Sequence, residues 1–288
     1  MSAEPTSTEP TSTDPAPLLQ VSGLRKTYPA GGRPVVAVDG LSFALRPGGA
    51  LGIVGESGSG KTTTARMLVG LERPDQGEIL VQGAPLAARA RGRAARLARA
   101  KAVQIVFQDP YLSLDARLGI GVTVDAVLRL HGSLDRAARA ARVRELLAQV
   151  GLGDREAAAL PRQLSGGQRQ RAAIARALAA EPAVLVLDEA VSALDVSVQA
   201  QVLNLLCDIR RDTGIGLVFV SHDLAVVRYV CDDALVMYRG RTVEHQPVAD
   251  LLAAPRHPYT RLLLASVPHP GWDPAAIGAR RRDLAAAG

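Results

Sequence analysis

Residues 55–62 read Gly55-Glu56-Ser57-Gly58-Ser59-Gly60-Lys61-Thr62 and match the pattern G-x-x-x-x-G-K-T. The short apolar segment Ala50 to Val54 runs directly into this stretch, and a helix is predicted from Thr62 to about Leu71. In this pattern the glycines let backbone N–H groups wrap around phosphate oxygens, the lysine reaches the β- and γ-phosphates, and the threonine hydroxyl binds Mg²⁺. The stretch therefore predicts a phosphate-binding loop between a strand and a helix.

The lysine of this loop is unusual for the chain, which fills almost every other basic position with arginine. Three of the 34 basic residues are lysines, namely Lys26, Lys61 and Lys101. A compact ammonium group fits among phosphate oxygens where a planar guanidinium does not. We therefore interpret Lys61 as a chemical requirement of the loop.

Two acidic residues, Asp188 and Glu189, close a second apolar segment that begins at Val184. Asp188 would hold Mg²⁺, directly or through water, and Glu189 would polarise an attacking water. An acidic pair at the end of a strand is common, so this signal is moderate when it stands alone. Downstream of a phosphate-binding loop it predicts hydrolysis of a nucleotide.

Two more polar residues follow predicted strands. Gln108 comes directly after the segment Val103 to Phe107, and His222 follows the segment Leu217 to Val220 and Ser221. Ligands of parallel sheets bind at the carboxyl ends of the strands. Gln108 would therefore contact Mg²⁺ and the lytic water, and His222 would meet the γ-phosphate. By themselves, a lone glutamine and a lone histidine are more often ordinary surface or core residues.

The composition limits the class of protein. The 288-residue chain carries a formal net charge of +6. No apolar run in it approaches the roughly 18 to 20 residues that cross a bilayer. The N-terminus lacks the apolar core of a secretory signal, so we expect a cytoplasmic protein. Cys207 and Cys231 lie far apart and form no disulfide or metal-ligand pattern, which indicates buried thiols.

The basic excess is concentrated in an arginine-rich stretch over residues 89–101 that contains no aromatic residue. A protein that binds single-stranded nucleic acid interleaves aromatic side chains with its basic residues. This stretch therefore favours a solvated helix face, and no nucleic-acid partner is expected.

The segment pattern predicts three regions with different roles. Residues 1–17 form a low-complexity tail that is expected to be disordered. Residues 18–254 begin with antiparallel strands and continue as alternating strands and helices, with a helical insertion over about residues 113–163. Within that insertion, Leu134 to Val150 is the clearest amphipathic segment. Residues 255–288 form a C-terminal extension.

A third segment identifies the family. Leu164-Ser165-Gly166-Gly167-Gln168, followed by Arg169-Gln170-Arg171, resembles the signature motif of ABC-type ATPases. The phosphate-binding loop, Gln108, the acidic pair, Ser192-Ala193-Leu194-Asp195 and His222 complete the family's motifs in order, whereas kinases and RecA-like ATPases lack the signature. The resemblance implies an α/β P-loop NTPase fold (ABC ATPase) with a RecA-like core, an N-terminal antiparallel β subdomain and a helical insertion subdomain.

The resemblance also implies ATP and Mg²⁺ as ligands, bound between two domains that pair head to tail. Each ATP would lie between the P-loop of one domain, with Lys61 and Thr63 among its contacts, and the signature of the other. Tyr28 matches the aromatic residue that stacks on adenine, and Asp195 would communicate across the dimer. The expected contacts are Gly55, Ser57, Gly58, Gly60, Lys61, Thr62 and Thr63 on one side and Ser165, Gly166, Gly167 and Gln168 on the other, with Thr62, Gln108 and Asp188 near the metal.

A narrower resemblance comes from residues 188–201 and 257–268, which are similar to the ATPases of oligopeptide, dipeptide and nickel importers, most of all the second ATPase subunit. It implies ATP-driven solute import at the cytoplasmic face of the inner membrane. The implied partners are a second ATPase subunit in a heterodimer, two membrane permease subunits and, indirectly, an extracytoplasmic substrate-binding protein. Ala190 replaces the proline usual in the broader family, and the chain lacks the cysteine cluster of some members, so no iron–sulfur centre is expected.

Two alternatives stay open from the sequence. The chain could be a soluble ABC ATPase that acts on ribosomes or DNA, although such proteins usually have tandem cassettes or a long coiled-coil or zinc insertion. It could also be a non-hydrolysing regulatory cassette, although the complete set of Lys61, Asp188, Glu189 and His222 is evidence against that.

Overall fold

The computed structural model describes residues 16–29, 32–86 and 92–266. The strands are β1 (Leu19–Tyr28), β2 (Val35–Leu45), β3 (Ala50–Val54), β4 (Gln76–Val81), β5 (Ala84–Pro85), β6 (Val103–Phe107), β7 (Val184–Asp188), β8 (Gly216–Ser221), β9 (Asp233–Tyr238) and β10 (Arg241–Pro247). The α-helices are α1 (Lys61–Leu68), α2 (Arg93–Ala102), α3 (Ile120–His131), α4 (Arg136–Gln149), α5 (Asp154–Ala158), α6 (Gly166–Leu178), α7 (Val196–Thr213), α8 (Leu224–Val230), α9 (Val248–Ala253) and α10 (Pro258–Ala265).

The strands form two sheets. An antiparallel sheet has the order β2-β1-β4-β5, and it contains the predicted strands of the first 45 residues. A six-stranded sheet has the order β10-β9-β3-β8-β7-β6, in which only β10 is antiparallel to its neighbour among the described strands. The strand that leads into the phosphate-binding loop, β3, lies between β8 and β9 in the interior of this sheet.

The larger sheet is buried on both faces, and alternate side chains of each strand reach opposite sides. On β7, Val184 and Val186 join a cluster with α1 and the antiparallel sheet, whereas Leu185 and Leu187 join a cluster with α6, α7 and α8. Strands covered on both faces are expected to be continuously apolar, as β3, β7 up to Leu187 and β8 up to Val220 are.

Helices α3, α4 and α5 occupy the predicted insertion. The amphipathic segment corresponds to α4, and Val143, Leu146 and Leu147 on its inner face are buried, as is Val150 directly after it. Their side chains join the same cluster as α6. The insertion is therefore packed onto the helix that follows the signature segment.

The structure differs from the sequence-based expectations at the end of α1, and it covers only part of the arginine-rich stretch and of the two termini. Helix α1 ends at Leu68, three residues earlier than predicted, because Gly70 adopts a left-handed turn (φ +71°) that α-helix cannot continue. Helix α2 has no buried residue, which confirms the solvated helix face for the described part of the arginine-rich stretch; Arg89 and Arg91 lie outside the described residues. The tail up to residue 15 and the extension from residue 267 lie outside them too.

The two cysteines are free thiols. Cys231 is buried as predicted, whereas Cys207 is only half-buried. Across the three described ranges, no helix combines the length and the apolar character that crossing a membrane requires.

Candidate active site

Four predicted site residues follow strands that end at one edge of the six-stranded sheet. In the register, Val54 lies opposite Ser221, and Asp188 lies opposite both Val220 and Phe107. The residues directly after these strand ends are Gly55, His222, Glu189 and Gln108. The carboxyl edge of the sheet therefore brings the phosphate-binding loop, the acidic pair, the histidine and the glutamine to one place.

Two positions of the phosphate-binding loop require glycine because a side chain would have no space there. A Cβ atom at Gly55 would lie 2.3 Å from the carbonyl oxygen of Met237, and one at Gly60 would lie 2.3 Å from that of Ala37. Gly60 and Gly58 also have positive φ angles of 105° and 80°. The side-chain oxygen of Ser59 is buried and has no hydrogen-bond partner among the described residues. A narrow, glycine-lined cradle with a spare polar atom fits a phosphate group.

Lys61 begins α1 and points into the loop. Its Nζ atom donates hydrogen bonds to the carbonyl oxygens of Gly55, at 2.7 Å, and of Glu56, at 2.8 Å. Burial lowers the pKa of Lys61, and the negative charges of Glu189, Asp188 and Glu56 oppose this shift. The lysine is thus held by two neutral carbonyl groups, which a phosphate could replace with a stronger, charged partner.

Thr62 and Asp188 form the candidate metal site. The Thr62 hydroxyl donates a hydrogen bond of 3.4 Å to Oδ1 of Asp188. Burial raises the pKa of Asp188, and the neighbouring Glu189 carboxylate raises it further. A hydroxyl and a carboxylate in contact are hard oxygen ligands of the kind that Mg²⁺ takes beside nucleotide phosphates. The residues present therefore fit the metal.

The buried Asp188 carboxylate should cost stability when no ligand is bound. Since its pKa is higher in the folded protein than in the unfolded chain, this cost is present at pH 7 and disappears as the pH falls below the unfolded-state value. We expect Asp188→Asn to stabilise the ligand-free protein at pH 7 by on the order of 1 kcal/mol, with a smaller gain near pH 4.

The measurement is thermal unfolding with and without MgATP. Wild type should gain stability from MgATP over ATP alone, and Asp188→Asn should lose that magnesium-dependent gain. Equal gains in both proteins would contradict the assignment of Asp188 to the metal.

Glu189 adopts a strained backbone. Its φ angle is +50°, which is uncommon for a residue other than glycine, and its amide donates to the carbonyl of Val220 at 2.9 Å. The Ser192 hydroxyl bonds the Glu189 carbonyl at 2.9 Å. A turn held from both sides keeps the residue in this conformation, and such strain is concentrated at functional sites.

His222 lies beside Glu189. Its Nδ1 atom is 3.5 Å from Oε1 of Glu189, and its side chain is 58% exposed, whereas that of Glu189 is 25% exposed. The histidine therefore faces the open side of the site, where a substrate would approach. The two side chains are therefore neighbours, at a distance longer than the roughly 2.6–3.2 Å of a catalytic hydrogen bond.

Gln108 is exposed directly after β6, the edge strand next to β7. The end of β6 is fixed by a residue that the sequence analysis did not assign a role. Gln170 of α6 is 1% exposed, and its Nε2 atom donates to the carbonyl oxygen of Phe107 at 3.3 Å. The sequence signal that could have indicated this contact is a polar residue, Gln170, two positions before the apolar run Ala172-Ala173-Ile174 of the same helix.

Tyr28 lies at the end of β1 in the antiparallel sheet. Lys26 approaches its ring, with Nζ 5.3 Å from the ring centre. Lys26 also pairs with Glu72 at 2.7 Å, and that contact is the main reason why the pKa of Lys26 is raised. The tyrosine is half-buried, so part of its surface stays available to a ligand.

The signature segment caps a helix. Ser165 is the N-cap of α6: its hydroxyl accepts from the Gln168 amide at 3.2 Å, and Oε1 of Gln168 accepts from the Ser165 amide at 2.9 Å. This reciprocal capping box leaves the helix start in a fixed shape. Gln168 also donates to Glu156 of α5 at 3.5 Å, so the segment is tied to the helical insertion of its own chain.

The two glycines of the signature segment allow close packing. Gly166 and Gly167 are helical, and a Cβ atom at Gly167 would lie 2.2 Å from Cγ1 of Val198 in α7. One at Gly166 would be 3.8 Å from Leu194. The backbone of α6 therefore rests directly on the start of α7. This start includes Asp195, which is exposed at the N-cap of α7 and whose carbonyl accepts from the Gln199 amide at 2.8 Å.

Substituting Gly167 with alanine should destabilise the protein by about 1–3 kcal/mol, the usual effect of overpacking. Val198 is β-branched and has few rotamers in a helix, so it cannot move aside cheaply. Urea unfolding would measure the change, and adding Val198→Ala should restore part of the loss. An unchanged unfolding midpoint for Gly167→Ala would show that the helices do not need this close approach.

Comparisons with known proteins identify the family. Residues 38–192 match the family model described as ABC transporter, and residues 243–285 match that described as oligopeptide/dipeptide transporter, C-terminal region. The chain belongs to the ABC transporter family. The predicted family and fold class are thus confirmed.

The family members compared in sequence are similar over most of this chain. Glutathione import ATP-binding protein GsiA of Salmonella paratyphi A is 47% identical over 259 residues, which cover 88% of this chain and 41% of that protein. A putative peptide import ATP-binding protein of Brucella ovis is 46% identical over 257 residues, covering 89% of this chain and 80% of the relative. The chain thus spans about two-fifths of the length of GsiA.

Two solved structures of family members share the fold. The ATP-binding cassette MJ0796, in a dimeric post-hydrolysis state with ADP and Pi, has a TM-score of 0.72 at 28% identity and covers 80% of this chain and 98% of its own. The cbiO1 protein of Clostridium perfringens, part of the ABC transporter complex cbiONQ, has a TM-score of 0.73 at 28% identity and covers 83% and 91%.

Proposed function

We propose that this chain is the ATP-hydrolysing subunit of an importer for peptides or related small solutes. The observation that carries the proposal is the strand-end site, where Lys61, Thr62, Asp188 and Glu189 converge. The class of cargo rests on the similarity of residues 243–285 to the C-terminal region of oligopeptide and dipeptide transporters. The relatives are named for import of glutathione and of peptides, which are solutes of this class.

The residues of the site divide the work of hydrolysis. Lys61 would exchange its two carbonyl partners for phosphate oxygens of ATP, and the glycine loop would surround those phosphates with backbone N–H groups. Glu189 would accept a proton from the water that attacks the γ-phosphate, and the products are ADP and phosphate. His222 would orient Glu189 and meet the γ-phosphate, since its Nδ1 is 3.5 Å from that carboxylate.

The remaining site residues would bind the metal ion, the phosphates and the adenine ring. Thr62 and Asp188 would hold Mg²⁺, with Gln108 beside them; when bound, the ion neutralises charge on the phosphates. Ser57 and Thr63 would complete the contacts of the loop, and Tyr28 would stack on adenine with the part of its ring that Lys26 does not cover.

The signature segment would serve the ATP site of a facing ATPase subunit. Its side chains are engaged in capping α6 and in bonding the helical insertion of the same chain. A capped helix start is a suitable contact for the phosphates of an ATP held by a facing P-loop. Ser165, Gly166, Gly167 and Gln168 would therefore form half of a site in the partner, and Asp195 would lie at the same interface.

The assembly follows from this pairing. We propose a heterodimer with a second ATPase subunit, bound to two membrane permease subunits at the cytoplasmic face of the inner membrane, with a substrate-binding protein acting indirectly. ATP would close the ATPase pair and hydrolysis would reopen it, which drives the permeases between two states. In this arrangement residues 18–254 form the nucleotide-binding domain, with its helical subdomain at about 113–163, and residues 255–288 form the transporter-type extension.

The test is to purify the chain with its co-expressed membrane partners in lipid vesicles. We expect ATP hydrolysis that one solute-loaded binding protein stimulates several-fold, and no stimulation with Lys61→Ala. Peptides, glutathione and nickel chelates would be compared as solutes. Co-purification with ribosomes or DNA in place of membrane subunits would contradict the proposal and favour a soluble ABC ATPase.

A further inference from the structure

A tyrosine of the C-terminal extension reaches the phosphate-binding loop. Tyr259, near the start of α10, accepts a hydrogen bond through its hydroxyl oxygen from the backbone amide of Glu56 at 2.8 Å. Only 1% of its surface is exposed, and it is among the largest fully buried side chains of the described residues. The two residues are separated by 203 positions in the chain. The extension is thus in direct contact with the loop that would bind ATP.

The ring of Tyr259 is fixed by an aromatic neighbour. Its centre lies 4.2 Å from that of Tyr238, with 30° between the ring planes. Tyr238 ends β9, and the preceding Met237 carbonyl is the group that leaves no space for a side chain at Gly55. The tyrosine pair and the β9 strand end therefore enclose the beginning of the loop from one side.

The segment before α10 is also anchored. Glu244 of β10 is 7% exposed, and its carboxylate accepts hydrogen bonds from the amides of Arg256, at 2.8 Å, and His257, at 3.0 Å. Nδ1 of His257 in turn accepts from the Tyr259 amide at 3.1 Å, which caps α10. A continuous series of bonds thus connects the sheet, the start of α10 and the loop, so the hydroxyl of Tyr259 has little freedom to move.

We propose that Tyr259 is a positioning residue for nucleotide binding: it fixes the Gly55–Glu56 part of the loop through the Glu56 amide and makes ATP affinity depend on the C-terminal extension. The inference rests on the proposed function, because it concerns the same ATP site. Tyr259 itself would touch neither ATP nor Mg²⁺.

The effect arises because Lys61 and Tyr259 hold adjacent backbone groups. Lys61 bonds the carbonyls of Gly55 and Glu56, and Tyr259 bonds the amide of Glu56. When Lys61 turns to a phosphate, it gives up its carbonyl bonds, and the Tyr259 contact then remains to hold the segment. Without that contact, binding must order a more mobile loop, and such ordering reduces affinity.

The decisive variant is Tyr259→Phe, which removes the acceptor oxygen and keeps the ring on Tyr238. The matched control is Tyr229→Phe, which removes the hydroxyl of a 58% exposed tyrosine that bonds Asn204. Titration of the full chain with MgATP should show a Kd about 3- to 10-fold higher for Tyr259→Phe and unchanged for the control. In the assembled transporter, KM for ATP should rise by the same factor while kcat stays within about twofold.

A second readout follows from reciprocity. If the extension raises ATP affinity, then ATP must stabilise the extension by the same factor. Hydrogen exchange of residues 256–266 should slow when MgATP is added to wild type, and this slowing should be lost in Tyr259→Phe. A purely structural role of Tyr259 would change the unfolding temperature but would leave Kd and the ATP-dependent exchange unaltered.

The outcomes separate this inference from the proposed function. Wild type that binds MgATP, with Lys61→Ala binding far more weakly and Tyr259→Phe binding like wild type, would overturn the positioning role alone. Wild type that fails to bind MgATP would overturn the proposed function. A lower kcat with an unchanged KM for Tyr259→Phe would also contradict the positioning role, because it would place the residue in the chemical step.

Discussion

Replacing Glu189 with glutamine should leave ATP binding intact and slow hydrolysis by roughly 10²- to 10³-fold. The amide keeps the size of the side chain and can still lie near His222, which is now 3.5 Å from the carboxylate. It cannot accept the proton of the attacking water. The measurements are the Kd for MgATP in the full chain and kcat in the assembled transporter, in which the variant should accumulate the closed, ATP-bound pair.

The matched control for this variant is Glu181→Gln. Glu181 has nearly the same unusual backbone as Glu189, with φ of +52° against +50°, but its side chain is exposed and its carboxylate lies 3.9 Å from the Arg142 guanidinium. Its substitution should leave kcat unchanged. Normal turnover in Glu189→Gln would mean that another group acts as the base. Equal losses of kcat in both variants would mean that the substitutions act through the backbone and not through the loss of a catalytic base.

Lys61→Arg should weaken MgATP binding by roughly 10- to 100-fold, since hydrogen bonds to charged groups each contribute about 1.5–3 kcal/mol. The lysine is 5% exposed, and its Nζ atom lies 2.7 and 2.8 Å from two carbonyl oxygens. The positive charge is kept, but a planar guanidinium is too wide for a cradle in which even a Cβ atom at Gly55 would collide with backbone. A loss of MgATP affinity would therefore show that the loop depends on the shape of this side chain and not only on its charge.

Equilibrium titration with MgATP measures this loss. Lys101→Arg is the control, because Lys101 is an exposed residue at the end of α2, and its substitution should change nothing. If Lys61→Arg bound MgATP as tightly as wild type, the scarcity of lysine in this chain would carry no information about the loop.

The fold class, and the candidate site residues that follow the strands, could be predicted from the sequence. Apolar segments such as Ala50 to Val54 and Val184 to Leu187 are continuous because both faces of their sheet are covered, and continuous segments are easy to find. Parallel strands also carry ligand-binding residues at their carboxyl ends, so the residues that follow them, Glu189 and His222 among them, could be chosen as site candidates from the sequence. That Nδ1 of His222 lies 3.5 Å from Oε1 of Glu189 is seen in the structure.

Other features depend on contacts that no local pattern encodes. The bond between Glu56 and Tyr259 joins residues 203 positions apart, and no pattern in the sequence of the extension indicated it. The family resemblance predicts the signature glycines only as contacts of ATP, yet Gly167 is also required by its approach to Val198. The end of α1 at Leu68 was missed because Gly70 was not weighed as a helix stop.

The close approach of α6 and α7 has a consequence for a paired assembly. The backbone at Gly167 rests on Val198, three positions after Asp195, and Ser165 caps the same end of α6. In the proposed pair, the segment that one chain would offer to its neighbour's ATP packs directly on the helix that follows the turn after Glu189 of the same chain. A displacement caused by phosphate loss at one ATP would be transmitted to the other without any flexible link in between. ATP hydrolysis at the two sites of such a pair would therefore be coupled.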